Sequence, residues 1–164
     1  MRYCVQLATS VDVAFLATAM DENDPGVAGE NAPIDRLLQT CAASSQVWAA
    51  RDARGTPTAL WGVTPFADDP DVGHLWMLAC EAFDDNPMEL GSLCRLVFGE
   101  MLNTYIRLEN YVDVRKVRAV DLLRSIGFAI EPAGRQVHED GNFHRAWIDT
   151  DRLRAGSVPS RLPN

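Results

Sequence analysis

Residues 105–131 read YIRLENYVDVRKVRAVDLLRSIGFAIE, a strand, a helix and a second strand in one short unit. Val112 and Val114 alternate with Tyr111 and Asp113, the two-residue period of a half-buried strand. From residue 116 to residue 126 the spacing turns helical: Ala119, Leu122, Leu123 and Ile126 fall at i, i+3, i+4 and i+7 and make one apolar stripe. Gly127 stands where a helix takes a left-handed cap, and Phe128 and Ile130 begin a strand at once. The unit points to an α/β (α+β) chain.

Working upstream, Leu90, Leu93, Cys94, Val97, Phe98, Met101, Leu102 and Tyr105 recur at three and four residues and predict a long helix that starts at Asp84, Asp85, Asn86 and Pro87. Before it, residues 72–80, VGHLWMLAC, are nearly continuous in apolar character, which predicts a central strand covered on both faces. A crossover helix then requires this strand and residues 111–114 to lie side by side and run parallel. Residues 47–51 and 58–64 predict a hairpin around the turn Asp52-Ala53-Arg54-Gly55.

Nearer the start, residues 3–7 read as a short strand, and Thr9 and Asp12 sit in capping-box spacing ahead of Val13, Leu16, Ala17 and Met20. Pro33 opens a second helix with the stripe Ile34, Leu37, Leu38 and Cys41. Downstream, residues 139–142 make a turn and residues 143–149 a last strand. The expectation is one domain over residues 1–150, a central mixed, mostly antiparallel sheet flanked by helices, and a poorly ordered tail at 151–164.

With 47% hydrophobic and 23% charged residues, a chain of 164 residues has globular proportions. Its 15 Lys plus Arg against 23 Asp plus Glu give a net charge of -8, which argues against non-specific nucleic-acid binding. Cys4, Cys41, Cys80 and Cys94 are widely spaced in apolar stretches, so buried free thiols in a reducing compartment are expected. No apolar leader segment opens the chain and no run approaches the ~18 apolar residues of a membrane span, so a soluble protein without a membrane span is expected.

The helix ending LLRSIGF and passing straight into a strand resembles the late βαβ segment of the GNAT N-acetyltransferase superfamily, and the element order resembles the complete GNAT topology over residues 3–149. The longer pattern of Asn110, Tyr111, Val112 and Asp113, then Val114, Arg115 and Lys116, then LLRSIGF, looks like the GNAT-like internal virion and assembly proteins of short-tailed phages. What the resemblance implies is a GNAT-like acyl-CoA N-acyltransferase fold with acetyl-CoA at the end of the central strand and the start of the next helix. Leu78, Cys80, Leu90, Gly91 and Ser92 are then the cofactor-binding candidates.

Several positions depart from the superfamily. Its Arg or Gln followed by x-x-Gly-x-Gly or Ala is missing, since residues 84–93 read DDNPMELGSL. Asp84 and Asp85 would repel a pyrophosphate and Pro87 lacks an N–H; on a plainer reading, Asp85 or Asn86 caps the helix and Pro87 starts it. Leu123 matches the superfamily's tyrosine general acid, and Lys116 its asparagine. Acetyl-CoA is therefore possible but not expected to bind tightly.

His74 lies near where some members carry a glutamate base, which makes it the candidate catalytic base; a satisfied strand histidine is the alternative. Cys80 has no His or Asp at a motif spacing that would activate it as a nucleophile. His138, Glu139, Asp140 and His144 match no established ligand spacing, so no metal is expected. Trp48, Trp61, Trp76 and Trp147 fall on strands and suit sheet-face packing. Residues 21–32 are a solvent loop or, by the resemblance, part of the acceptor side.

The expectation for function is a tailed-phage GNAT-like protein acting in virion assembly or inside the virion, with its chemistry degraded. Its partners would be virion or assembly proteins and its location the host cytoplasm or the virion. The alternative is an active acyl-CoA-dependent N-acetyltransferase acting on an amine.

Overall fold

The computed structural model describes residues 2–23, 33–80, 83, 86–132 and 142–157. The described elements are, in order, β1 (Tyr3–Leu7), α1 (Ser10–Asn23), α2 (Pro33–Ala43), β2 (Gln46–Asp52), β3 (Pro57–Pro65), β4 (Val72–Ala79), α3 (Pro87–Met101), β5 (Arg107–Asp113), α4 (Val117–Ile126), β6 (Ala129–Ile130), β7 (Phe143–Ile148) and α5 (Thr150–Ser157). The strands follow the order β1-β2-β3-β4-β5-β7-β6. β1 with β2, β2 with β3, β5 with β7 and β6 with β7 are antiparallel, and β4 with β5 is parallel, so the sheet is mixed and mostly antiparallel as expected. Two compact units divide the chain: Met1–Thr64 with Trp76–Asp85, and Pro65–Leu75 with Asn86–Asn164.

In the first unit the capping box forms. Thr9 donates its main-chain N–H to Asp12 Oδ2 at 2.8 Å, and the Asp12 N–H returns to Thr9 Oγ1 at 3.3 Å. Asp12 stands where a Glu or Gln is usual, and its shorter carboxylate also receives Arg51 of β2. Val13 and Leu16 of α1 bury themselves against Ala49 and Leu60, with Leu37, Cys41, Trp76 and Leu78 packed around them. A Cβ on Gly62 would overlap the Trp76 indole, whose Nε1 donates to Ser44 Oγ at 2.9 Å, so glycine leaves the room this ring occupies. The hairpin turn forms with Gly55 at φ 82 and Asp52 Oδ1 accepting the Arg54 and Thr56 N–H groups.

In the second unit Leu90, Leu93, Cys94, Val97, Phe98 and Met101 of α3 are buried, and the Phe98 and Phe128 rings meet edge to face at 5.7 Å. The parallel ladder pairs Val72 with Arg107, Gly73 with Leu108 and His74 with Glu109, which is the direction the crossover helix demands. Gly127 ends α4 at φ 125, and Phe128 N–H bonds back to the Leu123 carbonyl at 3.0 Å.

Some expectations need correction. β5 begins at Arg107 rather than residue 111, because Arg107, Glu109 and Tyr111 alternate with buried Leu108 and Val112 on a face polar enough to hide the apolar period. β4 is not covered on both faces: His74 is exposed and Met77 is 38% exposed. On α4 the fully buried positions are Val120 and Ile126, whereas Ala119, Leu122 and Leu123 are half-buried. Leu38 of the expected α2 stripe is exposed. None of the four cysteines is in a disulfide, but Cys94 alone is fully buried and Cys4 is exposed on β1.

The start of the expected disordered tail is a docked helix. Arg95 donates to the Gly156 carbonyl at 2.5 Å and to the Ser125 carbonyl at 2.6 Å, capping the ends of α5 and α4 with one guanidinium, while Arg152 Nε donates to the Gly127 carbonyl at 2.8 Å. Residues 158–164 lie outside the described residues.

Candidate functional site

α3 starts where the sequence reading placed it, with Asn86 at the N-cap and Pro87 in the first turn. The Asn86 side chain makes no capping hydrogen bond; its carbonyl accepts the Leu90 N–H at 3.2 Å. The first-turn N–H groups of an α-helix have no intrahelical acceptor, so this end is chemically suited to an anion. Glu89 in the same turn works against it. Asp84 and Asp85, the two carboxylates expected to repel a phosphate, lie outside the described residues.

The cofactor candidates are divided by their surroundings. In the second unit, Leu90 and Gly91 are buried, and a Cβ on Gly91 would meet Leu122 at 3.6 Å. Ser92 is exposed, its hydroxyl donating within the helix to the Met88 carbonyl at 3.1 Å. In the first unit, Leu78 packs on the apolar cluster, and Cys80 is half-buried with its N–H on the Thr58 carbonyl at 2.9 Å. Leu123 is half-buried on α4, and Lys116 is that helix's exposed N-cap.

His74, the candidate base, is exposed on β4 and stacks on Phe66 with ring centroids 5.3 Å apart. Its partner in the parallel ladder is Glu109, which leads to a constellation the sequence reading missed. Glu109 is 6% exposed, with Arg107 Nε 2.8 Å from its Oε1, and the same oxygen accepts Arg145 NH2. Arg145 also donates to Glu131 Oε1 at 3.1 Å, and the Glu109 hydrogen bond is the main cause that raises the Arg145 pKa above its ordinary value. Trp147 lies opposite Glu109 on β7, its ring flanked by the Arg107 guanidinium at 5.8 Å and that of Arg152 at 5.3 Å. The signal was the alternation of Arg107, Glu109, Tyr111 and Asp113, which puts a polar row on one face of β5.

Among the described residues no three His, Cys, Asp or Glu side chains come together as a metal site; His138, Glu139 and Asp140 lie outside them. His144 sits half-buried on β7 opposite Val112. Trp48, Trp61, Trp76 and Trp147 are on β2, β3, β4 and β7, and Trp61 is wholly buried. No described helix is long and apolar enough to cross a membrane.

No protein-family model and no curated protein matches the chain. Solved structures do. AAC(6')-Ib in complex with ribostamycin and coenzyme A is similar with a TM-score of 0.71 at 15% identity, over 99% of this chain and 100% of that one. A GNAT-family acetyltransferase from Streptococcus pneumoniae is similar with a TM-score of 0.62 at 18% identity, over 90% and 98% of the two chains. Spermidine N-acetyltransferase from Vibrio cholerae in complex with CoA and spermine gives 0.64 at 12% identity, over 93% and 98%. The fold is the GNAT acyl-CoA N-acyltransferase fold.

Proposed function

We propose that the protein is an acyl-CoA-dependent N-acyltransferase that moves an acetyl group from acetyl-CoA to an amine. The observation that carries this reading is the start of α3, where Pro87 opens the helix and no Asn86 side chain occupies the first-turn N–H groups, in a fold shared end to end with CoA-bound acetyltransferases. Those main-chain groups would hold the phosphates, and the bound thioester supplies the activated acyl group. Glu89 in the first turn and the charges of Asp84 and Asp85 make the binding weak.

Isothermal titration with acetyl-CoA at low salt tests it, because the charges are least screened there. The expected result is weak saturable binding that free CoA displaces and that Asp84→Lys with Asp85→Lys tightens. Absence of binding in both proteins would overturn the transferase reading. The second reading, a phage virion or assembly role with catalysis lost, is favoured by Leu123 at the position of the superfamily's proton donor. Absent turnover on any amine despite CoA binding would promote it.

A further inference from the structure

Resting on the transferase reading, we infer that the acceptor amine also carries a carboxylate, and that Arg107 receives it. The buried carboxylate of this sheet face, Glu109, is shared by Arg107 and Arg145, so two guanidiniums meet one buried anion. Arg145 has a second carboxylate in Glu131. Arg107 has none: its buried Nε lies 2.8 Å from Glu109 Oε1, and among the described residues no hydrogen bond or ion pair engages its terminal nitrogens. The outer, terminal nitrogens of this guanidinium are therefore the donors open to a ligand.

Arg107 is also presented to solvent, with 36% of its side chain exposed, and its guanidinium rests over the Trp147 ring, so little side-chain freedom is lost when an anion arrives. The guanidinium fork matches a carboxylate in two parallel hydrogen bonds. His74 stands on the same face, two residues along β4 from the Arg107 partner Val72, so a small molecule held by its carboxylate at Arg107 brings its amine toward an imidazole. A polycationic acceptor is disfavoured here, because Glu109, the carboxylate it would need, is already neutralised.

The test uses glycine, L-glutamate and L-phenylalanine, each against its α-amide, which keeps the amine and side chain and removes the α-carboxylate. NMR follows the Arg107 Nε–H and Trp147 Nε1–H signals of the intact protein without CoA. At least one acid is expected to shift both signals at a concentration tenfold below that needed by its amide; read on the Trp147 signal alone, Arg107→Gln should erase the difference and Arg107→Lys keep part of it. Equal responses to acid and amide in all three pairs, or none, would overturn the inference, and this wild-type comparison stands even where a variant misfolds. Acetyl transfer to the same amines and to spermidine separates the two claims. Acid-selective binding without any turnover defeats the transferase reading and keeps the Arg107 site, whereas turnover of spermidine and the amides but not the acids keeps the transferase and overturns the site.

Discussion

Arg51 closes on Asp12 with two parallel contacts, Nε to Oδ1 at 2.8 Å and NH2 to Oδ2 at 2.7 Å, while Oδ2 also accepts the Thr9 N–H. One buried carboxylate thus caps α1 and fastens it to β2. Asp12→Ala is expected to lower the unfolding free energy by about 2 kcal/mol, a lost cap plus a lost charge-assisted hydrogen bond. Thr9→Ala removes only part of the cap and should cost about 1 kcal/mol. Urea denaturation midpoints give the ordering; equal effects would show that the Arg51 contact adds nothing.

The Arg51 hydrogen bond, helped by those from Thr9, holds the Asp12 pKa below its usual value. A depressed folded pKa means that the unfolded chain takes up the proton first. The stabilisation is therefore complete above the unfolded value of about 4 and is lost as pH falls through the lowered folded value. Denaturation midpoints measured through that window should drop, and Asp12→Asn should flatten the drop.

Asp113 gives a local version of the same effect. Arg115, which donates through Nε at 3.0 Å and NH2 at 2.8 Å, brings its pKa down to about 2. Carbon-detected NMR should show the Asp113 carboxyl titrating there, and Arg115→Ala should return it toward about 4. An unchanged titration in that variant would assign the shift to the strand end instead.

What could be read from the chain alone was what lies within a few residues of itself. The Thr9 and Asp12 spacing announced its cap, the stripe of α3 announced its buried face, and Gly127 announced its positive φ. The partner of Asp12 is 39 positions away, so no local spacing reveals it. The Glu109 cluster was hidden for a related reason: its members come from β5, β7 and the residue after β6, and only the register brings them together. Residues 151–164 read as a poorly ordered tail, yet Thr150–Ser157 form α5, because tertiary partners far along the chain hold what the local sequence does not announce.

Val97 is wholly buried on α3, between Leu93 and Met101 of the same stripe. Val97→Asp places a charge there with no partner and should destabilise the second unit by about 3–5 kcal/mol. A soluble variant with an unchanged melting temperature would show that this stripe faces elsewhere.

α5 offers the sharpest test of a tertiary constraint. A Cβ on Gly156 would overlap the Ile126 carbonyl, and on the facing side a Cβ on Gly127 would come 2.5 Å from the Arg152 carbonyl oxygen. Both obstacles are main chain, which has no rotamer into which to retreat, so the joint between α4 and α5 closes only with glycine on each side. Arg95 and Arg152 then bond the carbonyls that the two helix ends expose. Gly156→Ala should lift α5 off α4 at a cost of about 1–3 kcal/mol. Hydrogen exchange would read it as faster amide exchange in residues 150–157 with protection in β5 retained. Arg95→Met should loosen the same residues without any steric clash. Exchange left unchanged by both substitutions would mean that α5 is held by Leu153, whose Cδ2 lies 3.7 Å from where a Cβ on Gly99 would stand, rather than by the glycine joint and its arginine clamp.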